Sequence, residues 1–179
     1  MTRPWRVIEE QYYEKFRLFS AKRSRRENPK NGQPFDFFLM EGLDWTNIIL
    51  LNPRREIVLV EQFRQGADRV TLELPGGAVE ANETPLAAAT RETVEETGFT
   101  PKPLKHLGSV FANPAMQSMR LHVFLGEVDG STQIPQALDS EEEIRIVQKP
   151  LDDFLEDVRT GRAEHALTAA AVAMFLLRK

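Results

Sequence analysis

Residues 77–99 read GAVEANETPLAAATRETVEETGF, and this stretch determines how the rest of the chain is interpreted. Thr84 is a good helix N-cap, and Pro85 suits the first helical position, where a missing N–H costs nothing. Gly98 supplies a C-terminal stop, with Pro101 just beyond it. The stretch therefore predicts one helix. Its core-facing side is predicted to consist of Leu86, Thr90, Thr93, Val94 and Thr97.

Three glutamates are predicted to share the other face of this helix. Glu92, Glu95 and Glu96 stand at i, i+3 and i+4, so their charges repel unless a cation lies among them. Mg²⁺ is a hard cation that prefers oxygen ligands, keeps several waters and recruits phosphates. A solvated acidic face is the ordinary alternative for such a run. The preceding Leu74–Gly77 corner has two glycines, which let backbone groups approach a metal or a phosphate.

The spacing of this stretch favours the metal site over a solvated face. It runs Gly77, five residues, Glu83, seven residues, Arg91-Glu92, two residues, Glu95-Glu96, one residue, Gly98-Phe99. This pattern resembles the Nudix box, the signature of the Nudix hydrolase superfamily. One position departs from it, because Thr93 stands where the family usually has an aliphatic residue. We expect the Thr93 hydroxyl to bond back to the preceding turn.

The resemblance implies a divalent metal, Mg²⁺ with Mn²⁺ as a substitute, and roles for the box residues. It gives the metal-binding positions as Glu92, Glu96, Glu95 and the carbonyl of Gly76. Glu95 is either a ligand or an anchor beside the ligands, and we count it with the catalytic residues too. Arg91 also belongs to the catalytic set, where its forked guanidinium would hold carboxylates in place together with Glu83.

A general base could come from the box or from a loop. The acidic run 141–143 precedes a predicted strand, and the ADP-ribose branch of the family has a glutamate at this point. Glu142 matches it best by its offset from Ile144, with Glu141 as the second choice. A solvated loop tip is the alternative for both residues.

Residues outside the box resemble the ADP-ribose and nucleotide-sugar pyrophosphatase branch. The matching segments are 60–64 (VEQFR), 73–77 (ELPGG) and the later Pro114. The resemblance implies that Arg64 contacts the diphosphate of a small nucleotide-sugar substrate. Further substrate-contact candidates are Trp45, Met116 in the 112–118 loop, Trp5 and Phe37. The aromatic rings among them could stack on a base or simply belong to the core.

Composition excludes several classes of protein. The 179 residues include no cysteine, so disulfides, thiolate metal sites and a cysteine nucleophile are excluded. The net charge of −4 gives no basic field for nucleic acid. No apolar run is long enough to span a membrane, and no apolar signal core is seen at the start. We therefore expect a cytoplasmic protein without membrane or nucleic-acid partners.

The chain order predicts an α/β (α+β) fold, the Nudix α/β/α sandwich with a mixed β-sheet. Residues 1–50 are predicted to be a β-rich N-terminal segment, with residues 22–32 as a polar, basic loop. Residues 51–179 are predicted to be the Nudix domain, with the box at 77–99. The resemblance implies a homodimer that uses the aromatic N-terminal segment.

Three functions remain open at this point. The favoured one is hydrolysis of ADP-ribose or another nucleoside diphosphate sugar to a nucleoside monophosphate and a sugar phosphate. The second is hydrolysis of nucleoside triphosphates, dinucleoside polyphosphates or RNA 5′ ends. The third is a Nudix-like nucleotide-binding regulator without catalysis.

Overall fold

A computed structural model describes residues 2–130, 133–140 and 142–178. The elements in chain order are β1 (Arg6–Lys15), β2 (Phe19–Glu27), β3 (Pro34–Gly42), β4 (Trp45–Leu51), β5 (Glu56–Arg64), β6 (Arg69–Glu73), α1 (Pro85–Thr97), β7 (Lys105–Phe111), β8 (Arg120–Glu127), β9 (Ile144–Pro150), α2 (Leu151–Thr160) and α3 (Ala166–Leu177). They form two compact units, Met1–Asp44 with Phe111–Arg120, and Trp45–Val110 with Leu121–Lys179. The boundary predicted after residue 50 thus falls inside β4, whose pairing partners all belong to the second unit.

The first unit is a three-stranded antiparallel sheet in the order β1-β2-β3. Its middle strand carries a basic cluster formed by Lys22, Arg23, Arg25 and Arg26, so the prediction of a loop over residues 22–32 is wrong for 22–27. Acidic residues of the outer strands pair with the cluster. Lys22 Nζ lies 3.1 Å from Glu10 and 3.0 Å from Glu41, and Arg23 lies 3.2 Å from Glu9. Opposite charges across a sheet stabilise strand pairing, which local turn signals do not reveal.

The second unit contains a mixed sheet in the order β6-β5-β4-β8-β7, with β9 also pairing with β5. β4 runs parallel to β8 over its whole length and antiparallel to β5 at its end. Side chains of β4 alternate between two faces, because successive residues of a strand point to opposite sides. Ile49 belongs to one apolar cluster, while Ile48 and Leu50 belong to the other.

Helices cover both faces of this sheet. One cluster includes Phe154 of α2 and Val172 of α3, and the other includes Ala89 of α1. The second unit is therefore the predicted α/β/α arrangement. Within the described residues, no helix has the length and apolar character that crossing a membrane requires.

Helix α1 begins and ends as its sequence predicts. Thr84 accepts a hydrogen bond from the Ala87 N–H at 3.2 Å, Pro85 opens the helix, and Gly98 ends it with φ at 68°. The predicted core face is only partly correct, since Leu86 and Thr90 are exposed. The buried side is instead Ala88, Ala89, Thr93, Glu96 and Thr97. Because Glu96 is buried, the packed side of α1 includes one of the three glutamates that were predicted to lie on the opposite face.

Candidate active site

A glycine corner between β6 and α1 forms one wall of the site. The Gly77 carbonyl accepts from the Thr46 N–H at 2.8 Å, and the Pro75 carbonyl accepts from the Ile48 N–H at 2.9 Å. Gly76 has φ at 149°, and a Cβ there would lie 2.0 Å from the Thr46 carbonyl oxygen. A Cβ on Gly77 would lie 2.3 Å from Glu92 Oε1. Gly76 therefore requires glycine for backbone packing, whereas a Cβ on Gly77 would displace the Glu92 carboxylate.

Glu96 and Glu92 are two acidic side chains withdrawn from water beside this corner. Glu96 is 3% exposed, and its Oε2 accepts a hydrogen bond from the Gly76 N–H at 2.8 Å. Burial raises the pKa of Glu96 well above its usual range, against that hydrogen bond, and the charges of Glu92 and Glu142 raise it further. Burial raises the pKa of Glu92 to about 7, although Arg91 opposes the shift. The structure thus concentrates negative charge that only a cation or a proton relieves.

Arg91 holds the acidic face of α1 together. Its Nε and Nη2 donate to Glu83 at 3.0 Å each, and Nη1 donates to Glu92 and Glu95 at 2.8 Å each. Nη2 also donates to the Ala78 carbonyl at 3.1 Å. These contacts raise the pKa of Arg91, chiefly through Glu83, and they orient the three carboxylates. Arg91 and Glu83 are therefore brought together with Glu92 and Glu95, and the catalytic role of Arg91 stays a prediction.

The candidate bases lie in the segment before β9. Glu142 is exposed, and its Oε2 accepts a hydrogen bond from the Asp139 N–H at 3.1 Å. Its charge contributes to the raised pKa values of Glu92 and Glu96, so the three carboxylates lie within electrostatic range of one another. Glu141 lies outside the described residues. The role of Glu142 as base stays a prediction.

Arg64, at the end of β5, forms a forked ion pair. Its Nε and Nη2 donate to the two carboxylate oxygens of Glu73 at 2.8 and 2.7 Å. The charges of Glu96 and Glu142 contribute to the raised pKa of Arg64, after the larger effects of Glu73 and burial. This cation therefore lies within electrostatic range of the carboxylates, as a contact to the diphosphate requires.

The other predicted substrate contacts lie in different surroundings. Trp45 is half-buried and packs against an apolar cluster of the second unit. Met116, in the first unit, is exposed, and its carbonyl accepts from the Met40 N–H at 2.8 Å. Trp5 packs edge-on against Phe37, with ring centroids 5.4 Å apart. Contact of these side chains with a nucleobase stays a prediction.

The carboxylates of Glu92 and Glu96 offer oxygen ligands to a divalent cation. Across residues 2–130, 133–140 and 142–178, no three or more His, Asp and Glu side chains form a metal-binding group. The pair Glu92 and Glu96 nevertheless suits Mg²⁺, which binds through one or two carboxylates, several waters and substrate phosphates. Both side chains are largely buried and have raised pKa values, and the guanidinium that pairs with Glu92 is shared with Glu83 and Glu95. These residues fit the ion.

Sequence reasoning did not identify Glu73 and His165 as part of the site. Glu73 is 2% exposed, and His165 Nδ1 lies 3.2 Å from its Oε2. A glutamate at the end of a predicted buried strand needs a cationic partner, and this signal could have pointed to Arg64. No comparable signal marks His165, which is far away in the sequence.

The fold and this acidic site define a class of phosphoanhydride hydrolases built on a carboxylate helix. The NUDIX domain family matches residues 44–168, and the chain belongs to this family. It is a Nudix pyrophosphohydrolase.

Two curated relatives and one solved structure resemble this chain. An ADP-ribose pyrophosphatase of Bacillus subtilis (strain 168) is 30% identical over 74% of this chain and 71% of its own length. A CMP-5'-(N-acetyl-N-hydroxy-3-aminopropyl)phosphonate hydrolase of Streptomyces rubellomurinus is 32% identical over 72% of this chain and 62% of its own length. A crystal structure of an ADP compounds hydrolase superposes with a TM-score of 0.79 at 20% identity, covering 99% and 94% of the two chains. That likeness confirms the fold.

Proposed function

We propose that this enzyme hydrolyses the diphosphate bond of ADP-ribose or another nucleoside diphosphate sugar in the presence of Mg²⁺. The products are a nucleoside monophosphate and a sugar phosphate. The observation that carries the proposal is the pair formed by the buried Glu96 and the half-buried Glu92 beside the Gly76–Gly77 corner. The ADP-ribose pyrophosphatase relative at 30% identity supports the substrate class.

Glu92 and Glu96 would hold the Mg²⁺ ion, with Glu95 or the Gly76 carbonyl as further ligands. When bound, the ion neutralises phosphate oxygens and acidifies water. Arg91 keeps Glu92 and Glu95 oriented, so they need no rearrangement when the substrate arrives.

Arg64 and Glu142 act on the substrate side of the site. The Arg64 guanidinium binds the diphosphate through N–H groups that Glu73 leaves open. Glu142, exposed and near the other carboxylates, takes the proton from the attacking water. A general base that takes a proton from water can act from an exposed position such as that of Glu142.

A substrate panel tests the proposal. Purified enzyme with Mg²⁺ is assayed on ADP-ribose, other nucleotide sugars, a nucleoside triphosphate, a dinucleoside polyphosphate and triphosphorylated RNA. The expected result is kcat/KM highest for a nucleotide sugar and lost on addition of a chelator. Preference for a triphosphate or an RNA end would overturn the substrate assignment. Chelator-resistant hydrolysis would overturn the metal assignment.

We also propose that the first unit mediates a homodimer. Strand β1 is exposed along its whole length, and Tyr13 stacks on Phe38, which is 66% exposed. A further group of exposed apolar side chains consists of Val7, Ile8, Tyr12, Phe16 and Phe35. So much apolar surface on one small sheet favours a protein partner, and a second copy is the simplest one.

Light scattering after size-exclusion chromatography tests the dimer. A mass near twice 20.4 kDa is expected, with Phe38→Asp shifting it toward the monomer while Glu164→Gln does not. A monomeric wild-type protein at micromolar concentration would refute the proposal. The cytoplasmic location expected from the sequence stays a prediction, which cell fractionation would test.

A further inference from the structure

Glu73 is a buried carboxylate that three different elements hold in place. Arg64 at the end of β5 donates to both of its oxygens. The Thr71 hydroxyl of β6 donates to Oε1 at 2.5 Å, and Nδ1 of His165, the residue before α3, lies 3.2 Å from Oε2. A carboxylate with both oxygens engaged in this way has a fixed plane.

The plane of Glu73 in turn fixes the plane of Arg64. A side-on pair uses Nε–H and one Nη2–H of the guanidinium, which has five N–H donors. Those two bonds are the ones that the described part of the chain gives to Arg64, so three N–H groups remain. The Arg64 side chain is 38% exposed, so those groups can reach a ligand.

The surroundings of Arg64 suit an anionic ligand. Arg64 and His165 line an open cavity of about 560 Å³, together with Gln65 and Arg69. The charges of Glu96 and Glu142 also contribute to the raised pKa of Arg64. The guanidinium therefore lines the cavity and lies within electrostatic range of the acidic site.

His165 places its Nδ1 beside Glu73 without adding charge. Burial lowers the pKa of His165, with Arg64 acting in the same direction and Glu73 opposing it. Nδ1 lies 3.2 Å from Glu73 Oε2 and 3.3 Å from the Thr168 hydroxyl oxygen, and a neutral imidazole leaves the Arg64 charge for the ligand. A second cation here would compete with Arg64 for Glu73.

We propose that Glu73 and His165 are positioning residues that orient the Arg64 guanidinium toward the substrate diphosphate. This inference rests on the proposed function, because it assigns the diphosphate as the ligand of Arg64. The competing explanation is that Glu73 and His165 only dock α3 on the sheet. If Glu73 positions Arg64, a substitution at Glu73 raises KM only when Arg64 is present. If Glu73 only docks α3, the substitution changes KM equally with and without Arg64.

A double-mutant cycle on KM for ADP-ribose separates them. Arg64→Ala is expected to raise KM by about 10-fold or more with kcat changed less than about threefold. A contact that is equally strong in the bound ground state and in the transition state affects binding and not the chemical step. Glu73→Gln is expected to raise KM by about 10-fold alone, but less than about twofold when Arg64 is already alanine. Equal effects in both backgrounds would overturn the inference.

A matched pair at residue 165 tests the imidazole. His165→Ala is expected to raise KM about threefold to fivefold, whereas His165→Asn, whose amide nitrogen can take the place of Nδ1 beside Glu73, restores it. Glu127→Gln is the control, since it changes only the exposed 3.2 Å ion pair with Lys102. Equal KM values for His165→Ala and wild type would remove His165 from the assignment. Urea unfolding of each variant reports any loss of fold.

The positioning role can still be tested if the wild-type protein hydrolyses none of the substrates in the panel. That result defeats the proposed function, and the same cycle is then measured as Kd for ADP by calorimetry. Coupling between Glu73 and Arg64 in Kd would support the positioning role, and additive effects would refute it.

Discussion

The backbone N–H of Gly76 donates a hydrogen bond to Oε2 of Glu96 across 2.8 Å, and that carboxylate is 3% exposed. One neutral donor does not compensate a buried charge, so the pKa of Glu96 stays well above its usual range. The fold therefore places a carboxylate where a cation is needed. This relationship links the glycine corner to helix α1 and underlies the first predictions.

Glu96→Gln should reduce kcat by two or more orders of magnitude while the fold persists, because the amide keeps the shape and removes the charge. Urea unfolding should show equal or greater stability than wild type, since a buried charge is lost. Turnover near the wild-type rate would refute the role of Glu96.

Glu95→Gln is the matched control on the same helix. Glu95 has a partly exposed side chain and pairs with Arg91 at 2.8 Å. We expect a smaller loss of kcat than for Glu96→Gln, measured on the same substrate. A larger loss would make Glu95 the principal ligand.

Alanine at the two corner glycines should separate stability from activity. Gly76→Ala sets a Cβ against the Thr46 backbone at a positive φ, so we expect a loss of about 2–4 kcal/mol in the free energy of unfolding.

Gly77→Ala meets only the end of the Glu92 side chain, which can rotate away. We expect a stability loss of about 1 kcal/mol or less but a fall in kcat of at least about 10-fold. Chemical denaturation and steady-state kinetics check both variants. Similar stability losses in the two variants would contradict this division of roles.

Local sequence signals predicted helix α1 correctly, because Thr84, Pro85 and Gly98 act on their own backbone neighbours. The Thr93 hydroxyl also bonds as expected, donating to the Ala89 carbonyl at 2.7 Å. The packing face of α1 was less predictable, since it depends on the elements that lie opposite the helix. Glu96 is buried because the Gly76–Gly77 corner lies against it, and helical periodicity alone does not predict this.

Long-range pairs explain what the sequence could not reveal. His165 reaches Glu73 only because the start of α3 packs beside β6, 92 positions away in the chain. Lys22 likewise lies on a strand because Glu10 and Glu41 flank it in the sheet. Such partners are set by tertiary structure, which overrides local turn preferences.

Glu142→Gln should lower kcat by about 10- to 1,000-fold with little change in Mg²⁺ affinity, because a base acts on the water and not on the metal. Calorimetric titration of Mg²⁺ measures the affinity, and initial rates measure kcat. An unchanged rate would assign the base to another residue. A parallel loss of metal affinity would instead make Glu142 a ligand.

Asp157→Asn should reveal a pH-dependent contribution to stability far from the site. Asp157 is buried, with Lys149 bound to Oδ2 and Arg162 donating to Oδ1 at 2.7 Å, and these cations lower its pKa, Lys149 most strongly. A carboxylate with a lowered folded pKa stabilises the fold above its unfolded pKa of about 3.9. That stability is lost as the pH falls through the folded value.

We therefore expect Asp157→Asn to cost about 1–2 kcal/mol at pH 7, a modest amount because the Arg162 side chain is largely exposed. The cost should shrink steadily below about pH 4, where the wild-type carboxylate takes up a proton. Urea unfolding of both proteins across this pH range measures the difference. A cost that is the same at pH 3 and pH 7 would show that the Asp157 side chain acts through packing and not through its charge.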